Sequence, residues 1–152
     1  LAAEFFASPN PQTVQVGGNV QFTDSIPCPC GYVIHREGSG LFTLRGVTFG
    51  CQRQARYKVT FNGNIAIPEG GTVAAIALDL AIGGEPLQYS RAIVTPAAVE
   101  QFANVTCTAV VSVTRGCCYT VAVRNVPAGV GGTIEQQAVV VADGNLTIEK
   151  TA

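Results

Sequence analysis

The stretch Arg56–Ile67, which reads RYKVTFNGNIAI, decides how this chain folds. Tyr57, Val59 and Phe61 alternate with Arg56, Lys58 and Thr60. A period of two with aromatic and β-branched residues on one side marks a strand with one face in a core and the other in water. A second stretch, Tyr32–Leu44 (YVIHREGSGLFTL), carries two short runs of the same character about Glu37-Gly38-Ser39-Gly40, and reads as an antiparallel hairpin.

Outward from these two, the same pattern recurs in short pieces. Glu4–Ala7 is a first strand, closed by Ser8-Pro9-Asn10-Pro11, where proline removes a backbone donor and restricts the residue before it. Thr13–Val16 and Asn19–Thr23 flank the Gly17-Gly18 turn, and Asp24–Gly31, with Pro27 and Pro29, reads as an irregular loop. A second loop runs from Arg45 to about Gln54. Thr72–Ile82 is rich in alanine, but Ile76, Leu78, Leu80 and Ile82 alternate with Ala77, Asp79 and Ala81 between Gly-rich turns, so the stretch predicts a strand rather than a helix. Glu85–Val94 predicts an edge strand or a strand plus loop, and Thr95–Gln101 a single helical turn. Asn104–Thr114, Tyr119–Val126, Ala138–Ala142 and Leu146–Lys150 complete the strands. Many short strands at regular spacing, with no long helix, give an all-β, antiparallel two-sheet sandwich of one domain, residues 1–152.

Composition bounds the function classes. The chain is 47% hydrophobic and only 12% charged, which predicts apolar surface covered by other subunits. Its net charge of -1, with Arg and Lys scattered singly, offers no stripe for nucleic acid and no polybasic face for lipid. No apolar run approaches the ~20 residues of a membrane span, so membrane insertion is not expected. A chain that starts at Leu1 and holds no Met reads as a processed or trimmed piece, so the lack of a targeting segment says little.

The order of these strands resembles the jelly roll of the tumour-necrosis-factor (TNF) and complement-subcomponent superfamily, and within it the heads that cap collagen-like spore-surface glycoproteins of bacteria. The resemblance spans nearly the whole chain and rests on strand pattern and order. No Gly-X-Y run accompanies it here. It implies a compact homotrimer in which protomers pack about one axis through aromatic and aliphatic residues and leave their loops for a partner. Phe5, Phe6, Tyr89 and Phe102, on short strands or edges, are the candidates for that surface.

Six cysteines are present: Cys28, Cys30, Cys51, Cys107, Cys117 and Cys118. Cys107 alternates in phase with Val105, Ala109, Val111 and Val113 and reads as a small core residue. In the topology that the resemblance implies, the five others gather at one end of the sandwich, Cys51 near Cys117. Disulfides among Cys28, Cys30, Cys51, Cys117 and Cys118 are the first reading, and unless Cys107 joins in, five thiols leave at least one over for an intermolecular bridge or as a reactive free group. Zinc is disfavoured because the spacings are Cys-x-Cys and Cys-Cys rather than Cys-x2-Cys. Reduced thiols of an intracellular protein stay open as the third reading.

Catalytic residues, cofactors and a metal site are not expected. His35 lies beside a tight turn with no nucleophile motif around it, and Gly38-Ser39-Gly40 joins two strands where a nucleophile elbow must join strand to helix. The carboxylates form no short-range pair; Asp79 reads as a lone acid facing solvent, or else a trimer axis or cation. The sequons at Asn104 and Asn145 are motifs frequent by chance. The reading is a non-enzymatic, extracellular structural or adhesive head of a bacterial cell or spore surface, with a cell-surface or glycan ligand. A phage fibre head or capsid decoration protein on a virion, and a carbohydrate-binding module, are the alternatives; the absence of Trp counts against the last.

Overall fold

The computed structural model describes residues 2–7, 10–26, 31–127 and 137–152. Twelve strands follow one another: β1 (Ala2–Phe6), β2 (Gln12–Val14), β3 (Asp24–Ile26), β4 (Val33–His35), β5 (Phe42–Arg45), β6 (Gln54–Ala66), β7 (Ile76–Ile82), β8 (Glu85–Pro86), β9 (Ala92–Val94), β10 (Ala103–Thr114), β11 (Cys118–Val126) and β12 (Val139–Lys150). One sheet has the order β10-β6-β12-β1-β3, with β2 also on β12; the other has the order β4-β5-β11-β7-β8, with β9 also on β7. Every pairing among them is antiparallel.

The alternation in β6 does what its pattern implies. Tyr57, Val59 and Phe61 are fully buried between the sheets, and Arg56 and Lys58 are exposed. Aromatic rings knit the two layers together: Phe42 of the second sheet lies edge-on to Phe5 (4.6 Å) and Phe22 (5.3 Å), and Phe22 lies edge-on to Phe61 at 6.3 Å. Such pairs add about 0.5–1.5 kcal/mol each beyond the area they bury. Tyr57 carries its hydroxyl into this core and donates it to the Arg45 carbonyl, which satisfies the polar tip; burial pushes the phenol up to about 12.

Four local expectations are corrected. Asp24–Ile26 is a strand, not loop, because β1 presents a free edge that Glu4, Phe5 and Phe6 share with it. Asn19–Thr23 instead makes a single bridge, Asn19 to Arg124. Thr95–Gln101 forms no helical turn: one isolated turn fixes several residues for one hydrogen bond, and Glu100 takes φ +60 while its N–H donates to Ile67. A short 3-10 turn, Gln88–Ser90, sits earlier in the chain. Ala138–Ala142 and Leu146–Lys150 merge into β12, because Asp143-Gly144 is a bulge rather than a hairpin turn. Asp143 takes φ +55, and a Cβ on Gly144 would meet Ala7 and the Phe61 ring at 3.3 Å.

Candidate functional site

Strand register places the cysteines before any side chain is considered. Gln54 begins β6 opposite Thr114, the last residue of β10, so Cys51 and Cys117, three residues beyond each, lie at the same end of the sandwich. The Arg115 N–H donates to the Arg53 carbonyl at 2.9 Å, and the Arg115 guanidinium donates to the Gly50 carbonyl at 3.1 Å, which ties the two loops together. Cys118 pairs with Arg45, whose N–H donates to the Tyr32 carbonyl. Cys51, Cys117 and Cys118 are exposed and unbridged. Cys28 and Cys30 lie outside the described residues.

Gly46 makes this end possible. Its N–H donates to Cys117 and its carbonyl accepts from Gly116, so the 45–47 strand end and the 114–118 turn touch backbone to backbone. A Cβ there would land on the Thr114 carbonyl oxygen. A hollow of about 130 Å³ lies beside them, between Arg45, Val47 and Cys118, and a larger one of about 570 Å³ is lined by Gln52, Arg53, Gln54, Arg56, Thr114 and Ala152.

The four residues expected at a subunit contact divide. Phe5 is a correction: only 3% exposed, it packs against Phe42 inside the protomer, because its inward register in β1 points it between the sheets. Phe6 is half-buried on the opposite face. Tyr89 is 74% exposed and Phe102 45% exposed. Tyr89 has neighbours the sequence reading missed. Val110, 60% exposed, and Tyr119, 38% exposed, line one apolar groove with it and with Ile82 and Leu87, where β10 and β8 leave the sandwich edge open. A signal existed: Val110 is the one aliphatic residue on the Thr and Ser face of β10. Phe102 borders a different apolar cleft, of about 270 Å³, with Pro11, Ile67 and Val140.

The remaining polar residues are structural in placement. Asp79 does not face solvent: it is fully buried and its Oδ2 accepts from Arg91 Nε and Nη2 at 3.3 and 3.1 Å. The segment from Leu87 to Arg91 folds over the middle of β7, Ser90 Oγ accepting from the Leu80 N–H, and this covers the acid. Burial holds the Asp79 carboxyl above the ordinary range, with the hydrogen bond and charge of Arg91 opposing. Cys107 is fully buried, its thiol 3.3 Å from the Leu78 carbonyl, and burial pushes it up to about 12. His35 stacks on Phe42 at 4.3 Å, and its Nε2 donates to the Ser39 carbonyl at 2.8 Å, closing the β4–β5 turn. Among the described residues no three His, Cys, Asp or Glu side chains gather to hold a metal ion, and no helix is long and apolar enough to cross a membrane.

No protein-family model matches the sequence, and no curated protein matches it either. Solved structures do. The globular domain of a zebrafish complement 1qA protein is similar over 99% of this chain and 96% of its own, with a TM-score of 0.63 at 15% identity. The Eiger TNF of S. frugiperda is similar over 100% and 92%, with a TM-score of 0.62 at 14% identity. Murine APRIL is similar over 97% and 98%, with a TM-score of 0.61 at 8% identity. Likeness over whole lengths at identities this low establishes a shared backbone, and with it the conclusion that this chain has the TNF and complement type of jelly-roll fold.

Proposed function

We propose that this chain is a non-enzymatic head domain displayed outside the cell, on a bacterial cell or spore surface, and that it works as a homotrimer. The observation that carries the reading is the apolar groove at the open sandwich edge, where Tyr89, Val110 and Tyr119 lie together and exposed. Contiguous apolar surface on a chain with so few charges is the mark of a partner surface. A three-fold ring is heterologous: the edge of one protomer meets a different surface of the next. The cleft bordered by Phe102, Pro11, Ile67 and Val140 is the apolar counterpart for that role. Exposed Cys51, Cys117 and Cys118, the last of them next to Tyr119 of that groove, are the groups that cross-link heads into a larger assembly in an oxidising setting.

Substitution of both edge residues tests the reading. Tyr89→Ser with Val110→Lys places a charge in the groove and removes its largest ring, and is expected to convert a trimer to a folded monomer with an unchanged far-ultraviolet circular dichroism spectrum. A double variant that keeps the assembly state of the parent chain would contradict the assignment of this edge.

A further inference from the structure

The cations that look scattered in sequence are gathered by the fold. Six of the nine Lys and Arg residues, namely Arg45, Arg53, Arg56, Lys58, Arg115 and Lys150, fall at or next to the cysteine-bearing end. Glu149, opposite Lys58, is the carboxylate that the register sets beside them, whereas Glu69, Glu100 and Asp143 lie toward the other end of the strands. The Asp79–Arg91 pair is the one salt bridge among the described residues, so none of the six is neutralised by a partner there. Arg45, Arg115 and Lys150 each donate one N–H to a carbonyl, that of Gly31, Gly50 and Ala152, while the side chains of Arg53, Arg56 and Lys58 make no hydrogen bond among the described residues.

Like charges gathered and left unpaired at one end raise the local potential and attract something of opposite charge. Two further features say what. Arg53 and Arg56 line the hollow of about 570 Å³, a concave seat large enough for a saccharide unit. In the loop leading to it, where the Gln52 N–H donates to the Phe49 carbonyl, Phe49 is 66% exposed, and the Lys150 ammonium lies 5.6 Å from its ring and 5.1 Å from that of Tyr32. An exposed ring under an ammonium, with guanidinium groups at the same end of the sandwich, suits a sugar ring bearing acid groups: the ring face takes the C–H surface, and guanidinium forks take the acidic oxygens two at a time.

We propose that the cysteine-bearing end is a cationic seat for an anionic carbohydrate polymer, a chain of sugars carrying sulfate or carboxylate groups. The cations come from β5 of one sheet, from β6 and β12 of the other and from the loops beside them, gathered at one end, where duplex nucleic acid needs a stripe along which its phosphates can run. The preference for sugar over single-stranded nucleic acid rests on the extracellular reading. The seat adjoins the trimer edge, since Arg56 and Lys58 lie opposite Ser112 and Val110, but binding is counted per chain, so a monomer that binds would refute the assembly and leave the seat standing.

The test uses the whole chain, with fluorescence anisotropy against labelled heparin for sulfate, polygalacturonate for carboxylate and poly-dT for phosphate. Saturable binding to either polysaccharide at low salt is expected, weakening by about tenfold or more at half-molar salt as the charges are screened. Arg53→Ser with Arg56→Ser, both exposed, is expected to lose about tenfold in affinity at unchanged melting temperature, whereas Glu100→Gln at the other end leaves it unchanged. Binding of both polysaccharides assigns the seat to acidic sugars in general, and of heparin alone to sulfated ones. No saturable binding to either, equal affinity in the double variant, or tighter binding of poly-dT than of both polysaccharides overturns the proposal.

Discussion

Asp79 shows how far a single residue can depart from its sequence context. Nothing in IALDLAI distinguishes an acid on a wet face from one that a distant arginine covers, because the 3-10 turn that brings Arg91 over β7 is set by tertiary packing. One carboxylate oxygen, Oδ1, is buried with no hydrogen-bond partner among the described residues. With its native pKa raised, the folded chain takes up a proton before the unfolded chain does, so this group's contribution to stability falls as pH rises from the usual carboxylate range through the native value. Asp79→Asn is therefore expected to flatten the stability-versus-pH curve over that interval, read by chemical denaturation at several pH values; a curve parallel to that of the parent would contradict it. Cys107 behaved differently, since the alternation around it was legible and its side chain lies where that alternation points. In reduced native protein, iodoacetamide is expected to label Cys51, Cys117 and Cys118 and to reach Cys107 only after denaturation, by peptide mass. Native labelling of Cys107 would show that the core opens at β10.

Elements are most legible in the sequence where periodicity alone fixes them. Both β6 and β10 have their sequence-derived extents to within about two residues, because each alternates over ten positions or more between a core and a wet face. Short pieces are less legible: β3 exists because β1 needs an edge partner, and the Asp143-Gly144 pair, a common hairpin signal, serves as a bulge against Phe61. The contact at Gly46 belongs to this scale, since it holds the β5 end against the turn before β11 and so positions Cys117 and Cys118. Gly46→Ala is expected to cost about 1–3 kcal/mol, the range for forcing atoms into a filled site, because the methyl would strike the Thr114 carbonyl and backbone must move. Thermal melting checks it. A variant as stable as the parent would show that the two loops are not held as close as described.

At the scale of the whole molecule, strand order carried the fold, and charge placement did not show until the strands were paired. The sequence lists nine cations with no run among them, yet antiparallel pairing brings six of them to one end and turns scattered residues into a polarised surface. The exposed edge was half legible: Tyr89 stood out, while Val110 needed the observation that it breaks the polar face of β10. Phe5 misled because a ring on a short terminal strand reads as exposed until the second sheet closes over it. The central claim is that this jelly roll works as three copies joined through its apolar edge. Light scattering on the eluting chain at micromolar concentration under reducing conditions is the direct measurement: the account predicts one species of three times 15.7 kDa that persists on dilution, and a stable species of 15.7 kDa would contradict it.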